Sequence, residues 1–149
     1  MSSTTTNSLL LVGRVLLSAM FILSGFPKLI DPSGTAGMIT SAGIPAATLL
    51  TYVAGIFEIL AGLAVLLGFK TRIAALLLAA FSVFTALVFH SSAINIPGFP
   101  DAANGMLSMF NQLNMMKNLT IAGGFLVLAA AGAGAYSIDG RRGSVAITA

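Results

Sequence analysis

Four apolar stretches, each close to the length that crosses a bilayer, constrain this chain more than any other feature. A hydrocarbon core about 30 Å thick and a helical rise of 1.5 Å per residue require roughly 20 mainly apolar residues per span. Residues 9–29, 46–67, 73–90 and 119–136 approach that length. Charge is correspondingly scarce: 57% of the 149 residues are hydrophobic and 7% are charged, with a mean hydropathy of +1.00. A soluble domain carries about 25% charged residues. So few charges cannot coat a solvated surface, which excludes a water-soluble globule, a disordered chain and a nucleic-acid binder. The expected fold is all-α: an integral membrane four-helix bundle in one domain, with the lipid bilayer as its first partner.

The net charge of +3 rests on seven Lys/Arg against four Asp/Glu, so a few loop residues set its sign, and it reads as topology rather than partner choice. With no cysteine and a single histidine, thiol chemistry and an all-protein metal site are not expected. Any redox role needs a borrowed electron carrier. Without tryptophan, an interfacial belt is left to Tyr52, Tyr136 and phenylalanines. The first stretch reads as a span and not as a secretory signal, because no Lys or Arg precedes it and Arg14 interrupts it.

Turn chemistry separates the spans: Asp31-Pro32-Ser33-Gly34, Gly43-Ile44-Pro45, and Gly68-Phe69-Lys70-Thr71-Arg72. The last is short enough to force an antiparallel hairpin. The connection 91–118 is long for a compact bundle. Within it Met106, Met109 or Phe110, Leu113 and Met116 recur at helical spacing, which predicts a short interfacial helix before the fourth span. Lys70, Arg72, Arg141 and Arg142 fall on one side, while Lys28 and Lys117 on the other are balanced by Asp31 and Asp101. The positive-inside rule then places both termini in the cytoplasm.

Ionisable groups within spans cost a few kcal/mol even on lenient scales, so each needs a partner, a cavity or a role. Glu58 lies mid-span on a face with Thr51, Gly55 and Gly62, whose small side chains let another helix approach closely. Arg14 shares a stripe with Ser18, Phe21, Gly25 and Lys28. Counted from the inner ends of their helices, Arg14 lies about 8 Å and Glu58 about 14 Å deep. A guanidinium can span that difference, so an Arg14–Glu58 ion pair is expected, with Arg72 on the same inner side. Ala75, Ala79, Ser82, Ala86 and His90 form a smooth stripe ending in an imidazole at the outer edge. Lys28, Asn114, Lys117 and Asn118 should share that level. Each group also has a plainer structural reading: register fixing for Arg14 and Glu58, and snorkelling for Lys28, His90 and Lys117.

These residues also carry a resemblance. Gly13-Arg14, Ser24-Gly25-Phe26-Pro27-Lys28-Leu29, Glu58-Ile59-Leu60-Ala61-Gly62, Leu67-Gly68 with Arg72, His90, and Gln112-Leu113-Asn114-Met115-Met116-Lys117-Asn118-Leu119 together resemble the DoxX family of small membrane proteins over about residues 9–140. The resemblance implies a four-helix bundle in the bacterial inner membrane. It also implies an association with redox chemistry, since relatives include small subunits of an archaeal thiosulfate:quinone oxidoreductase and a membrane component of a mycobacterial oxidoreductase complex. On the family's polar pattern fall Arg14, Lys28, Glu58, Arg72, His90, Asn114 and Lys117.

The leading expectation is therefore a quinone-interacting or accessory subunit of a membrane oxidoreductase. Quinone is the non-covalent cofactor, and Glu58 and His90 are the candidate catalytic proton handlers. Arg14, Lys28, Arg72, Asn114 and Lys117 are the candidate ligand-binding residues. An oxidoreductase partner chain or an oligomer would complete the system. The alternatives are a non-enzymatic scaffold that binds partner proteins and, less favoured, a small-solute or proton transporter, for which no inverted repeat is visible.

Overall fold

The computed structural model describes residues 2–146. Among them the helices are α1 (Ser3–Ile30), α2 (Ser33–Ser41), α3 (Ala47–Leu67), α4 (Thr71–Phe89), α5 (Asp101–Ala131) and α6 (Ile138–Ala146), and there are no strands. α1, α3, α4 and α5 are long and apolar enough to cross a membrane. Their outward faces carry exposed Leu9, Leu16, Leu23, Leu60, Leu76, Leu87 and Val127. In water such a surface would aggregate; in lipid it is the solvated one.

The spans pack as two antiparallel pairs, α1 on α3 and α4 on α5. Without a hydrophobic drive in lipid, close backbone approach holds such pairs. The sequence provides it at Gly25 and Gly55: a Cβ on Gly25 would lie 2.7 Å from the Gly55 carbonyl oxygen, and one on Gly55 would lie 3.0 Å from that of Gly25. A turn and more deeper, Gly62 packs on Ile22 and Ser18. The small-residue face expected around Glu58 is thus the α1–α3 seam.

The α3–α4 hairpin closes on Gly68, left-handed at φ 69°, with its N–H bonded to Val65 O and that of Phe69 to Ala64 O. This is the carbonyl-satisfying helix end that glycine favours. Between the pairs a core of Val65, Leu78, Phe125 and Ala75, all fully buried, fills the half of the bundle nearest this hairpin. Phe21 stacks edge-on against Phe125 at 5.4 Å, and Phe57 lies 5.2 Å from Phe81.

Three features differ from the sequence reading. The segment expected as a separate interfacial helix is helical but runs unbroken into the fourth span, giving one 31-residue helix. At 1.5 Å per residue it is about 46 Å long, well beyond a bilayer core. No proline or glycine pair interrupts 106–118, so nothing stops the helix between the methionine stripe and the span. The fourth span ends at Ala131, not near 136, because Gly132 and Gly134 take positive φ of 83° and 75°. The chain there turns back under the bundle into α6. In addition, Ser33 and Gly34, read as part of a turn, open α2 (Ser33–Ser41), which lies on α3.

Candidate functional site

In the half of the bundle away from the hairpin, the two pairs diverge around a cavity of about 510 Å³. Its floor is the aromatic layer of Phe21, Phe57 and Phe81; α2 covers one side with Thr35, Met38 and Ile39. Into this largely apolar space the chain directs Ser24, Lys28, Glu58, His90, Lys117 and Asn118. Four of the seven residues singled out from the sequence therefore meet in one place.

The expected Arg14–Glu58 pair does not form. Glu58, 3% exposed, pairs with Lys28, whose Nζ lies 2.8 Å from Oε2. The same ammonium donates to Ser24 O at 3.0 Å and to Ser24 Oγ at 2.8 Å. Helix direction explains the exchange of partners. Cα–Cβ bonds tilt toward a helix N-terminus, so Lys28 reaches down α1 into the bundle while Arg14 reaches down toward the terminal end. The packing register, with Gly25 against Gly55 and Ser18 against Gly62, sets Glu58 beside the last turns of α1 and leaves Arg14 near Gly68. Counting depth from separate helix ends missed this, because those ends are not level.

His90 ends α4 with its Nδ1 2.7 Å from Asn111 Oδ1, and Asn111 Nδ2 donates to Ser92 O at 2.9 Å. That second bond fixes the amide, so Nδ1 must be the donor to Oδ1. His90 also borders a second, smaller cavity of about 340 Å³, formed with Ser91, Ser92, Ser108, Met109 and Gln112. At the rim Lys117 donates to Asn114 Oδ1 at 2.9 Å, and Asn118 donates to Thr85 Oγ1 at 3.2 Å. Asn114 thus steadies Lys117 without lining the cavity.

Arg14 and Arg72 stand at the opposite end and serve a different construction. Arg14, 1% exposed, donates from Nη2 to Tyr136 O, while its Nε and Nη1 have no partner among the described residues. Arg72 Nη1 donates to Ala129 O at 2.9 Å and Ala130 O at 3.0 Å, placing a cation on the C-terminal carbonyls of α5 where the helix dipole favours it.

Asp139 was not singled out from the sequence. It caps α4, whose own N-cap residue Lys70 provides no side-chain acceptor. Its carboxylate accepts from Lys70 N–H, Thr71 N–H and Thr71 Oγ1, each at 2.9 Å. Burial pushes this carboxyl up, but those three bonds and the nearby Arg142 charge outweigh it and hold it below the usual carboxylate range. Asn7 and Asn111 were likewise not candidates, and only their tertiary partners, Ala135 N–H and His90, reveal them. For Asp139 the signal was Ser137-Ile138-Asp139-Gly140, a turn followed by an acid.

Four lipid-facing helices around an internal cavity define a small multi-pass membrane protein. The DoxX family model matches residues 9–91. The chain is 40% identical to inner membrane protein YqjF of Escherichia coli K12 over 129 residues, covering 87% of this chain and 88% of that one. It is 35% identical to inner membrane protein YphA of the same organism over 133 residues, 89% of each. The uncharacterized membrane protein Rv3486 of Mycobacterium tuberculosis H37Rv is 31% identical over 129 residues, 86% of this chain and 77% of that one. No solved structure matches the chain. The chain belongs to the DoxX family and is a multi-pass inner membrane protein.

Proposed function

We propose that the protein binds a membrane quinone in the cavity between its helix pairs and works as a quinone-interacting subunit beside an oxidoreductase partner chain. The observation that carries this reading is the cavity itself. Its volume of about 510 Å³ lies within the roughly 300–1,000 Å³ of small-molecule sites, which combine apolar walls with a few placed polar groups. Phe21, Phe57, Phe81 and Phe84 offer flat apolar faces for a ring, and Lys28, Glu58, His90, Lys117 and Asn118 offer polar contacts for its oxygens.

A bound quinone would supply two-electron, two-proton chemistry. Glu58 and His90 are the groups able to hold or pass a proton there, Lys117 and Asn118 are placed to orient an oxygen, and the aromatic floor excludes water from the hairpin side. With no cysteine in the sequence, the electrons would come from the partner. Lys70, Arg72, Arg141 and Arg142 at the terminal end, against Lys28 and Lys117 at the other, favour cytoplasmic termini and a cavity nearer the opposite face.

The test is native mass spectrometry of protein taken from its own membrane in mild detergent. One quinone released per chain is expected, and it should be lost in Ala54→Trp, which places an indole in the cavity. Retention of phospholipid alone, with no quinone, would overturn the reading.

A further inference from the structure

We infer that the cavity is built for the reduced, hydroxyl-bearing quinol in preference to the quinone, an inference that rests on the quinone reading above. The two forms differ in one respect a protein can read. Quinone oxygens only accept hydrogen bonds, whereas quinol hydroxyls also donate. The form preferred is therefore set by whether donors or acceptors remain free in the cavity.

The donors of Lys28, Ser82, Thr85 and His90 are occupied. The three N–H groups of Lys28 go to Ser24 O, Ser24 Oγ and Glu58 Oε2. Ser82 gives its proton to Leu78 O, and Thr85 gives its proton to Ser82 O. His90 gives the Nδ1 proton to Asn111.

Acceptors remain. The Glu58 carboxylate accepts from Lys28 at Oε2 and has the Ser24 hydroxyl beside it, and of its roughly four lone-pair sites the rest are left to the cavity it lines. Asn118, Ser24 and Thr35 can donate or accept and so serve both forms. The rim ammonium of Lys117 can reach an oxygen of either.

A quinone set against the Glu58 carboxylate would face acceptor against acceptor. A quinol hydroxyl satisfies it. Sites that hydrogen-bond a hydroxyl discriminate strongly against the analogue lacking it, because their own polar groups are then left unpaired.

The test is calorimetric titration, under argon, of the full chain in detergent with a decyl-tailed dimethoxy-methyl-benzoquinone and, separately, with its hydroquinone kept reduced. The hydroquinone should bind at least about tenfold more tightly, as expected for a hydrogen bond to a charged acceptor. Tenfold raises the potential of the bound two-electron couple by about 30 mV, which a redox titration of the bound ligand reads independently. Lys28→Met/Glu58→Met removes the acceptor without stranding a buried charge, and should bring the ratio to within about twofold. Equal or tighter binding of the quinone overturns this inference and leaves the quinone site standing. An unchanged ratio in the double variant also overturns it. Binding of neither form overturns the quinone site and the inference with it.

Discussion

Replacing Lys28 with methionine removes the counter-charge from a carboxylate that is 3% exposed. The bond lost is the 2.8 Å contact to Glu58 Oε2, with two further bonds to Ser24. Methionine keeps the length and apolar bulk of the lysine stem, so packing on α1 changes little. Breaking a buried pair by deleting one partner costs about 3–5 kcal/mol, whereas replacing both by apolar groups is often neutral or stabilising. At roughly 2–4 °C per kcal/mol for a chain of this size, Lys28→Met should lower Tm by about 6–20 °C. Lys28→Met/Glu58→Met should lie near the parent. Thermal unfolding in detergent, followed by far-ultraviolet circular dichroism across all four corners of the double-mutant cycle, measures both numbers. A single variant within about 1 kcal/mol of the parent would refute the reasoning. So would a double variant no more stable than the single one, because the cost would then lie in packing and not in charge.

Other consequences follow from the same geometry. Gly25→Ala puts a Cβ 2.7 Å from the Gly55 carbonyl oxygen, so α1 and α3 must separate, at a cost of about 1–3 kcal/mol in the same unfolding assay. Phe125→Ala hollows out a fully buried ring beneath the cavity floor and should cost about 3–5 kcal/mol. Asp139 has a carboxyl held below its ordinary value, so its contribution is complete above about pH 4 and is lost as pH falls through the folded-state pKa. Asp139→Asn should therefore lower stability at neutral pH by about 1 kcal/mol, as for a lost cap, and remove that part of the acid dependence of Tm. Because the sequence has no cysteine, single cysteines at Ser2 and Ser92 report topology cleanly. A membrane-impermeant maleimide added to intact spheroplasts should label position 92 and spare position 2, and the reverse pattern would invert the orientation.

The polar residues were legible as a set but not as pairs. Glu58 betrayed itself by standing charged among apolar residues, and Thr51, Gly55 and Gly62 around it marked a close-packed seam, which the α1–α3 contact realises. Which cation would meet it was not legible. Lys28 and Arg14 lie on one stripe of α1, and only the register of that helix against α3 chose between them. His90 could be placed at the outer edge from the small-residue stripe below it, but its fixed ring came from Asn111, 21 residues away. Asp139 illustrates the limit most sharply, since an acid in a polar tail acquires its role only when the tail folds back onto the hairpin.

Hydropathy determined that this chain lives in a bilayer and crosses it four times, and turn chemistry that it turns at Gly68. These are local properties: span length is fixed by bilayer thickness and backbone self-satisfaction, and a turn by the few residues that allow it. Tertiary structure decided that Lys28 neutralises Glu58, that Arg14 and Arg72 brace the terminal end, and that the helix pairs diverge to leave a cavity lined by Glu58, His90 and Lys117. A helix sequence specifies which residues share a face, but the level at which two faces meet is set by where glycine and serine let the backbones touch.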